Sequence, residues 1–392
     1  MDSGVRPSSG LGVWILGLVT ITAYGSWFYG FGVLIGPIQA DVGWSTSTLG
    51  ATFAAAQVIA GLGAFVAGRL LDRFGAVGPF GVQALFGAGP LLAATFVDDV
   101  VVFAVLYAIG GGITGATGFY HVTTVIAGRL HPEAPAKAIA KLTLIGAFCS
   151  PILIPLTAFV VDNEGWRIGA RMLALLALGG ALTASTLNRR AASVGEAPSE
   201  KPIAAMRDAL QSPTVRRMFF AYIAGGVAFS MVVVYQVPIM THAGLSLGVA
   251  GTLAGFRGLC QVLGRVGLTG ALSRWGSAPL LLAAYTVSAV GMMLLLVGEV
   301  AAAVAFAVLA GAGIGATSPL QAIHSRDRFA AADLGLLMGM QGAVLGLAGG
   351  IGPLVGGAIR DATGSWTWVI VVATASLALA AMQMRPRPPS PG

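Results

Sequence analysis

The chain has 392 residues, of which 56% are hydrophobic and only 9% charged. A water-soluble domain carries about 25% charged residues to cover its surface, so a soluble enzyme or soluble binding module is excluded. The formal net charge of +7 invites a nucleic-acid reading, which the placement of the basic residues, counted below, excludes in turn.

A helix crosses a bilayer with about 20 apolar residues, and twelve such stretches follow one another along the chain: 12–37, 47–71, 77–97, 100–128, 138–161, 168–187, 215–241, 247–271, 277–297, 300–324, 334–359 and 366–384. The first is too long for a signal-peptide core and lacks a cleavage pattern, so it reads as a span that stays. The fold class expected is therefore an all-α membrane protein. Spans six and seven are separated by a long polar stretch whose second part, 201–211, suits a short amphipathic helix on the membrane surface. This predicts an N-terminal six-helix half (1–187), a cytoplasmic linker (188–214) and a C-terminal six-helix half ending in a disordered tail (215–392). Cys149 and Cys260 lie in separate apolar runs and show neither a disulfide framework nor a metal site.

With the N-terminus inside, the cytoplasmic segments hold seventeen lysines and arginines, and the outer side only Arg167, Arg171 and Arg360. That asymmetry is the positive-inside pattern. It predicts a multi-pass protein of the cell membrane with both termini cytoplasmic, and it accounts for the basic charge without a nucleic-acid partner.

The two halves repeat. Pro37-Ile38 with Gly43-Trp44-Ser45 recurs as Pro238-Ile239 with Gly244-Leu245-Ser246, Arg73-Phe74-Gly75 as Arg274-Trp275-Gly276, and Gly110, Gly112 and Ile113 as Gly311, Gly313 and Ile314, each pair 201 residues apart. The loop after span 2 reads Gly68-Arg69-Leu70-Leu71-Asp72-Arg73-Phe74-Gly75. It resembles the G-x-x-x-D-R-x-G signature of the major facilitator superfamily, whose members have two six-helix halves and a midplane substrate site between them that is exposed to each side in turn. On that resemblance Gly68, Asp72, Arg73 and Gly75 form a gating motif. Gly68 is expected to allow close packing, Asp72 to accept at a neighbouring helix N-terminus, and Arg73 to lock cytoplasmic helix ends together. The second-half copy has Ser273 in place of the aspartate.

Several segments are similar to the monocarboxylate transporter and oxalate–formate antiporter branch. These are Gly43-Trp44-Ser45 with Leu49-Gly50, then Gly165-Trp166-Arg167, and Gly264-Arg265 with Gly267 and Gly270 in span 8. The resemblance implies that Arg265 binds substrate and that Tyr120 contacts it. The chain departs from the branch at Gln261, where an aspartate or asparagine is usual, and at Arg129-Leu130, where a tryptophan–phenylalanine pair is common.

A charge at membrane depth costs at least about 2.5–3.5 kcal/mol and marks a functional site by default. Span 8 holds two, Arg257 and Arg265. In one straight helix, spacing by four puts Arg257, Gln261 and Arg265 on one face. The acidic residues of the spans sit at their outer ends or in loops, so buried cations without buried anions predict an anionic cargo, which a guanidinium grips with two parallel hydrogen bonds. In span 4, Thr117, Tyr120, His121 and Thr124 form a second polar stripe; His121 has the titration range for proton exchange. Tyr24, Tyr29, Tyr235 and Gln236 are candidates to line the path or to pack, and His324, Arg326, Asp327 and Arg328 read as a cytoplasmic ion-pair cluster.

The expectation is a monomeric secondary transporter, not an enzyme, that moves a small organic anion of monocarboxylate type by proton symport or anion exchange. Arg265, Gln261, Tyr120 and Arg257 would bind the anion, with His121 as proton carrier. No cofactor or metal is expected, since the glycines form no phosphate-binding loop with a lysine and the histidines lack metal-ligand spacing. The alternatives are an exporter of drugs or other hydrophobic compounds, and a non-transporting receptor on the same scaffold.

Overall fold

The structure, a computed structural model, describes residues 9–187, 202–329 and 334–385. The expected disordered tail beyond Arg385 and the first part of the linker, up to 201, lie outside the described residues. The described chain is all-helical, with eleven helices long and apolar enough to cross a membrane. The twelfth predicted span, the eighth in order, falls short: its helix Leu247–Cys260 has 14 residues, or about 21 Å of rise against a hydrocarbon core of about 30 Å. The linker's predicted helix is present as Pro202–Gln211.

The chain forms two compact units, Met1–Gly195 with Leu247–Gly255, and Glu196–Ser246 with Phe256–Gly392. The division differs from an even split at the linker because the first part of span 8 packs on span 5: a side chain at Gly255 would meet Pro155 Cγ at 2.8 Å, and one at Gly251 would meet Ala158. Lipid tails are as apolar as leucine, so helices in a membrane associate through close backbone approach at small residues. In the first unit span 2 runs along span 4, with Gly112 against Ile59 and Gly115 against Ala60 and Trp27. In the second unit span 9 runs along span 10, where a side chain at Gly291 would meet the backbone of Ala310 at 2.8 Å.

The repeat is visible in the backbone. Spans 2 and 8 both end on a glycine with positive φ, Gly75 at 66° and Gly276 at 74°, and each donates its N–H to the carbonyl four residues back at 2.9 Å. Glycine takes this conformation without a Cβ clash and so terminates both helices.

Five spans depart from regular α-helix; in span 5 two turn residues, Ala147 and Phe148, separate Pro135–Gly146 from Cys149–Glu164. Span 1 contains a π-helical segment, Tyr24–Tyr29, and span 3 another, Gln83–Ala88. Span 4 is interrupted at Phe119, whose φ of −82° and ψ of 171° are extended, which separates Val100–Gly118 from Tyr120–Leu130. Span 8 is broken over 261–267 before Leu268–Trp275. π-bulges and interruptions of this kind concentrate at functional sites, so they direct the search for one.

Candidate functional site

Span 8 carries the two predicted membrane arginines, and its break separates them. Arg257, in the regular part, is wholly buried at 0% exposure and donates from Nε to Gln236 Oε1 at 2.7 Å. Gln236, one of the candidate path residues, is itself buried in span 7. Beyond Cys260 the bonds shorten to the i→i−3 type, from Leu263 to Cys260 and Arg265 to Val262, both at 3.0 Å. Gly267 then turns with φ of 71°. The predicted face of Arg257, Gln261 and Arg265 is therefore corrected: in i→i−3 winding, residues four apart diverge by about 120°. Arg265 is exposed, donates from Nε to Gly315 O at 3.3 Å, and makes no ion pair among the described residues. The main chain of Gln261 lies against Gly315 of span 10, where a side chain would not fit.

The interruption of span 4 likewise divides its polar stripe. Thr117 precedes the break and bonds backward to Ile113 O at 2.6 Å; Tyr120 and His121 open the second piece. The Tyr120 hydroxyl reaches Thr143 O of span 5 at 3.4 Å. His121 is exposed and its Nε2 lies 2.8 Å from Ala116 O, across the break. This bond satisfies a carbonyl that the interrupted helix leaves open. Tyr24, from the π segment of span 1, stacks on Phe119 with ring centroids 3.6 Å apart, and Tyr120 lies 5.4 Å from Tyr24. The extended backbone at Phe119 thus sits in an aromatic cluster with Trp27, Phe28 and Phe53. Tyr235, by contrast, is a packing residue, buried with its hydroxyl on Pro353 O.

Sequence reasoning missed a polar spot in the same unit. Gln83, at 0% exposure in the π segment of span 3, leaves Nε2 without a hydrogen-bond partner among the described residues, as do Trp27 Nε1 and Thr114 Oγ1. A buried amide without a partner costs roughly 1–3 kcal/mol, so native folds rarely leave one without a reason. Gln83 faces span 4, where Thr117 donates to its Oε1 at 3.4 Å. The available signal was a lone amide in an otherwise apolar span.

The residues expected to form the gating motif close span 2, and two of their expected contacts are corrected. Asp72 lies in the last turn of its own helix and accepts from a side chain, Arg129 Nη2 of span 4 at 2.7 Å, where a helix N-terminus was the expected donor. Gly68 has open space where a side chain would stand, so it does not mediate close packing. Arg73 is exposed and lies over the ring of Phe74 at 5.1 Å, the arrangement that Arg274 repeats over Trp275 at 5.1 Å. The expected ion-pair cluster at 324–328 is also corrected. Among the described residues neither Arg326 nor Arg328 pairs with Asp327, and His324 is buried with Nδ1 2.8 Å from Ser277 Oγ.

Two repeated bundles of membrane helices, with polar side chains held at interrupted spans, define a multi-pass membrane transporter. The sequence profile of the Major Facilitator Superfamily matches residues 15–266 and 218–392; the chain belongs to that superfamily. No curated sequence matches it. Among solved structures it is similar to the nucleoside transporter NupG (TM-score 0.81, 14% identity, covering 96% of this chain and 99% of that one). It is also similar to the D-xylose-proton symporter (0.74, 15%, 96% and 97%) and to a bacterial homolog of the human lysosomal transporter Spinster (0.71, 15%, 97% and 95%). Identities this low establish a shared fold.

Proposed function

We propose that this transporter moves a small organic anion of monocarboxylate type, by proton symport or anion exchange, in the cell membrane as a monomer with both termini cytoplasmic. The observation that carries the reading is Arg265, an exposed guanidinium on non-helical backbone in the middle of an apolar stretch, with no carboxylate partner among the described residues. Open backbone at membrane depth survives only where protein covers it or water fills a cavity beside it. An exposed arginine on that backbone therefore belongs on the water-filled side, ready to take a carboxylate through paired N–H donors. Gln261 and Tyr120 orient the anion in this reading. Arg257 is enclosed in this conformation, so it acts through its field and by fixing Gln236. Binding an anion neutralises the site and permits the change of access, while an empty charged site resists it.

The test is uptake of radiolabelled lactate, pyruvate, formate, oxalate and uncharged analogues into proteoliposomes, with and without a pH gradient. Arg265→Ala should lower anion flux by about 100-fold, the scale of losing bonds to a charged group, while the protein elutes as a single folded species. Retained flux would remove Arg265 from the account.

His121 is the proposed proton carrier, because it is exposed beside the span 4 break and bonds only a carbonyl among the described residues. The xylose symporter with a similar fold couples to protons by its name, which makes symport a natural form. His121→Gln should abolish the stimulation of uptake by an inward proton gradient and leave exchange intact. An unchanged gradient response rules the histidine out.

The aromatic cluster around Phe119 favours a second reading, an exporter of hydrophobic compounds. Flux of uncharged aromatic probes that is indifferent to Arg265→Ala would select it. A receptor on the same scaffold would show no flux of any member of the panel.

A further inference from the structure

One end of the second unit carries a basic cavity that the transport reading does not use. It has a volume of about 230 Å³ and is lined by Arg217, His324, Arg328 and Arg385, together with Thr214 and Gln383. Among the described residues no aspartate or glutamate lines it. Asp327, whose field reaches Arg328, is exposed and outside the lining.

The arginines are held but not satisfied. Arg217 donates from Nε to Gln383 Oε1 at 3.3 Å and from Nη2 to Gln383 O at 2.8 Å. Arg328 donates from Nη1 to His324 O at 3.0 Å. A guanidinium has five N–H donors, so most of those on Arg328, and Nη1 of Arg217, have no acceptor among the described residues. Burial pulls the pKa of Arg328 below the usual guanidinium value, and a counter-anion relieves that cost. His324 spends Nδ1 on Ser277.

The backbone adds to the same field. The helices Pro213–His242 and Ser277–Leu294 both begin at this cavity, and neither start is capped by a side chain. Uncapped first-turn N–H groups carry partial positive charge and favour a phosphate. Three arginines and two helix starts converge on one space that no carboxylate lines among the described residues.

We infer that this cavity is a binding site for a phosphate group, distinct from the transport site, at the level where the ends of spans 7, 9, 10 and 12 meet the lipid headgroups. Its chemistry fits the phosphodiester of an anionic lipid such as phosphatidylglycerol, and equally a free phosphate anion. On the positive-inside orientation the lipid would come from the cytoplasmic leaflet, where basic pockets between helices recognise anionic headgroups. The inference does not depend on the organic-anion reading.

Native mass spectrometry of the delipidated full chain would measure retention of phosphatidylglycerol against phosphatidylcholine of matched chains, alone and with millimolar inorganic phosphate as competitor. Phosphatidylglycerol should be retained preferentially. The Arg217→Gln/Arg328→Gln variant, stripped of two charges, should lose about 30-fold of that retention. Arg216→Gln, an exposed neighbour outside the cavity, should lose none. Displacement by inorganic phosphate with the same arginine dependence makes free phosphate the source and keeps the site. Equal retention of the two lipids with no phosphate competition, or full retention by the double variant, overturns it. If the double variant does not elute as a folded species, Arg385→Gln, at an exposed residue of the lining, serves instead, with a smaller loss expected and no loss overturning the site.

Discussion

Spans 2 and 8 occupy the same place in the repeat, 201 residues apart, and they differ in continuity. Span 2 is one helix of 29 residues, Thr46–Phe74. Span 8 winds as helix to Cys260, breaks over 261–267 and resumes for eight residues, Leu268–Trp275. The residues at equivalent positions differ with it. Ala64 and Val66 in span 2 correspond to Arg265 and Gly267 in span 8. An alanine is the best helix former and suits the regular span 2, whereas Gly267 in the left-handed region closes the break in span 8, directly before the helix resumes at Leu268. The same event presents Arg265 on open backbone. One half thus keeps the span continuous, and the other carries an arginine on an interrupted copy of it.

The comparison breaks or sharpens first at Gly63 and Gly264. A side chain at Gly264 would collide with the carbonyl oxygen of Ala312 and stand 2.8 Å from the Ala316 nitrogen, both backbone atoms of span 10. At Gly63 the contact is with the Ala116 side chain, at 2.8 Å. Backbone cannot move aside as a side chain can, so Gly264→Ala should destabilise by about 3 kcal/mol and Gly63→Ala by about 1–2 kcal/mol, in the range of overpacked cores. Thermal unfolding in detergent measures both. Equal shifts would show that the break does not bring spans 8 and 10 into closer contact than their counterparts.

Gly267 comes next. Its φ of 71° is strained for any residue with a Cβ, so Gly267→Ala should cost about 1–2 kcal/mol. Val66→Ala at the equivalent place keeps a helical backbone and should change stability by less than about 1 kcal/mol, part of that from better propensity. A neutral Gly267→Ala in the same unfolding assay would mean that the break does not rest on this residue.

The number and order of the spans were legible in the sequence, because hydropathy over about 20 residues reports solvent. So were the paired glycine ends, Gly75 and Gly276, because the motif around each repeats. The breaks were not. Phe119 is as apolar as its neighbours, and nothing in local composition marks its extended backbone. Arg265 was singled out as a charge within an apolar stretch, yet its relation to Arg257 was drawn on a straight helix that the chain does not form. The partner of Asp72 was hidden for a different reason. Arg129 lies 57 residues away, and its replacement of the expected aromatic pair registered only as an anomaly, although Asp72 explains it.

That ion pair gives the smallest of the expected effects and the clearest contrast between the halves. Asp72 is 52% exposed at its side chain and Arg129 16%, so water screens the pair and its coupling should not exceed about 1 kcal/mol. The two ends are nonetheless unequal. Arg129 Nη1 is already buried without a hydrogen-bond partner among the described residues, and removing the aspartate leaves a mostly buried cation with less compensation still. Losing the anion alone should therefore be worse than losing both charges: Asp72→Asn should lower the Tm, and Asp72→Asn/Arg129→Gln should recover part of the loss. In the second half, Ser273 stands in the aspartate's place and, among the described residues, its hydroxyl bonds only Gly270 O of its own turn, at 2.9 Å. Ser273→Ala should fall within about 0.5 kcal/mol of the parent, as surface changes usually do. If Asp72→Asn and Ser273→Ala shift the Tm equally, the first half has no clamp that the second lacks, and the two ends of the repeat differ in sequence alone.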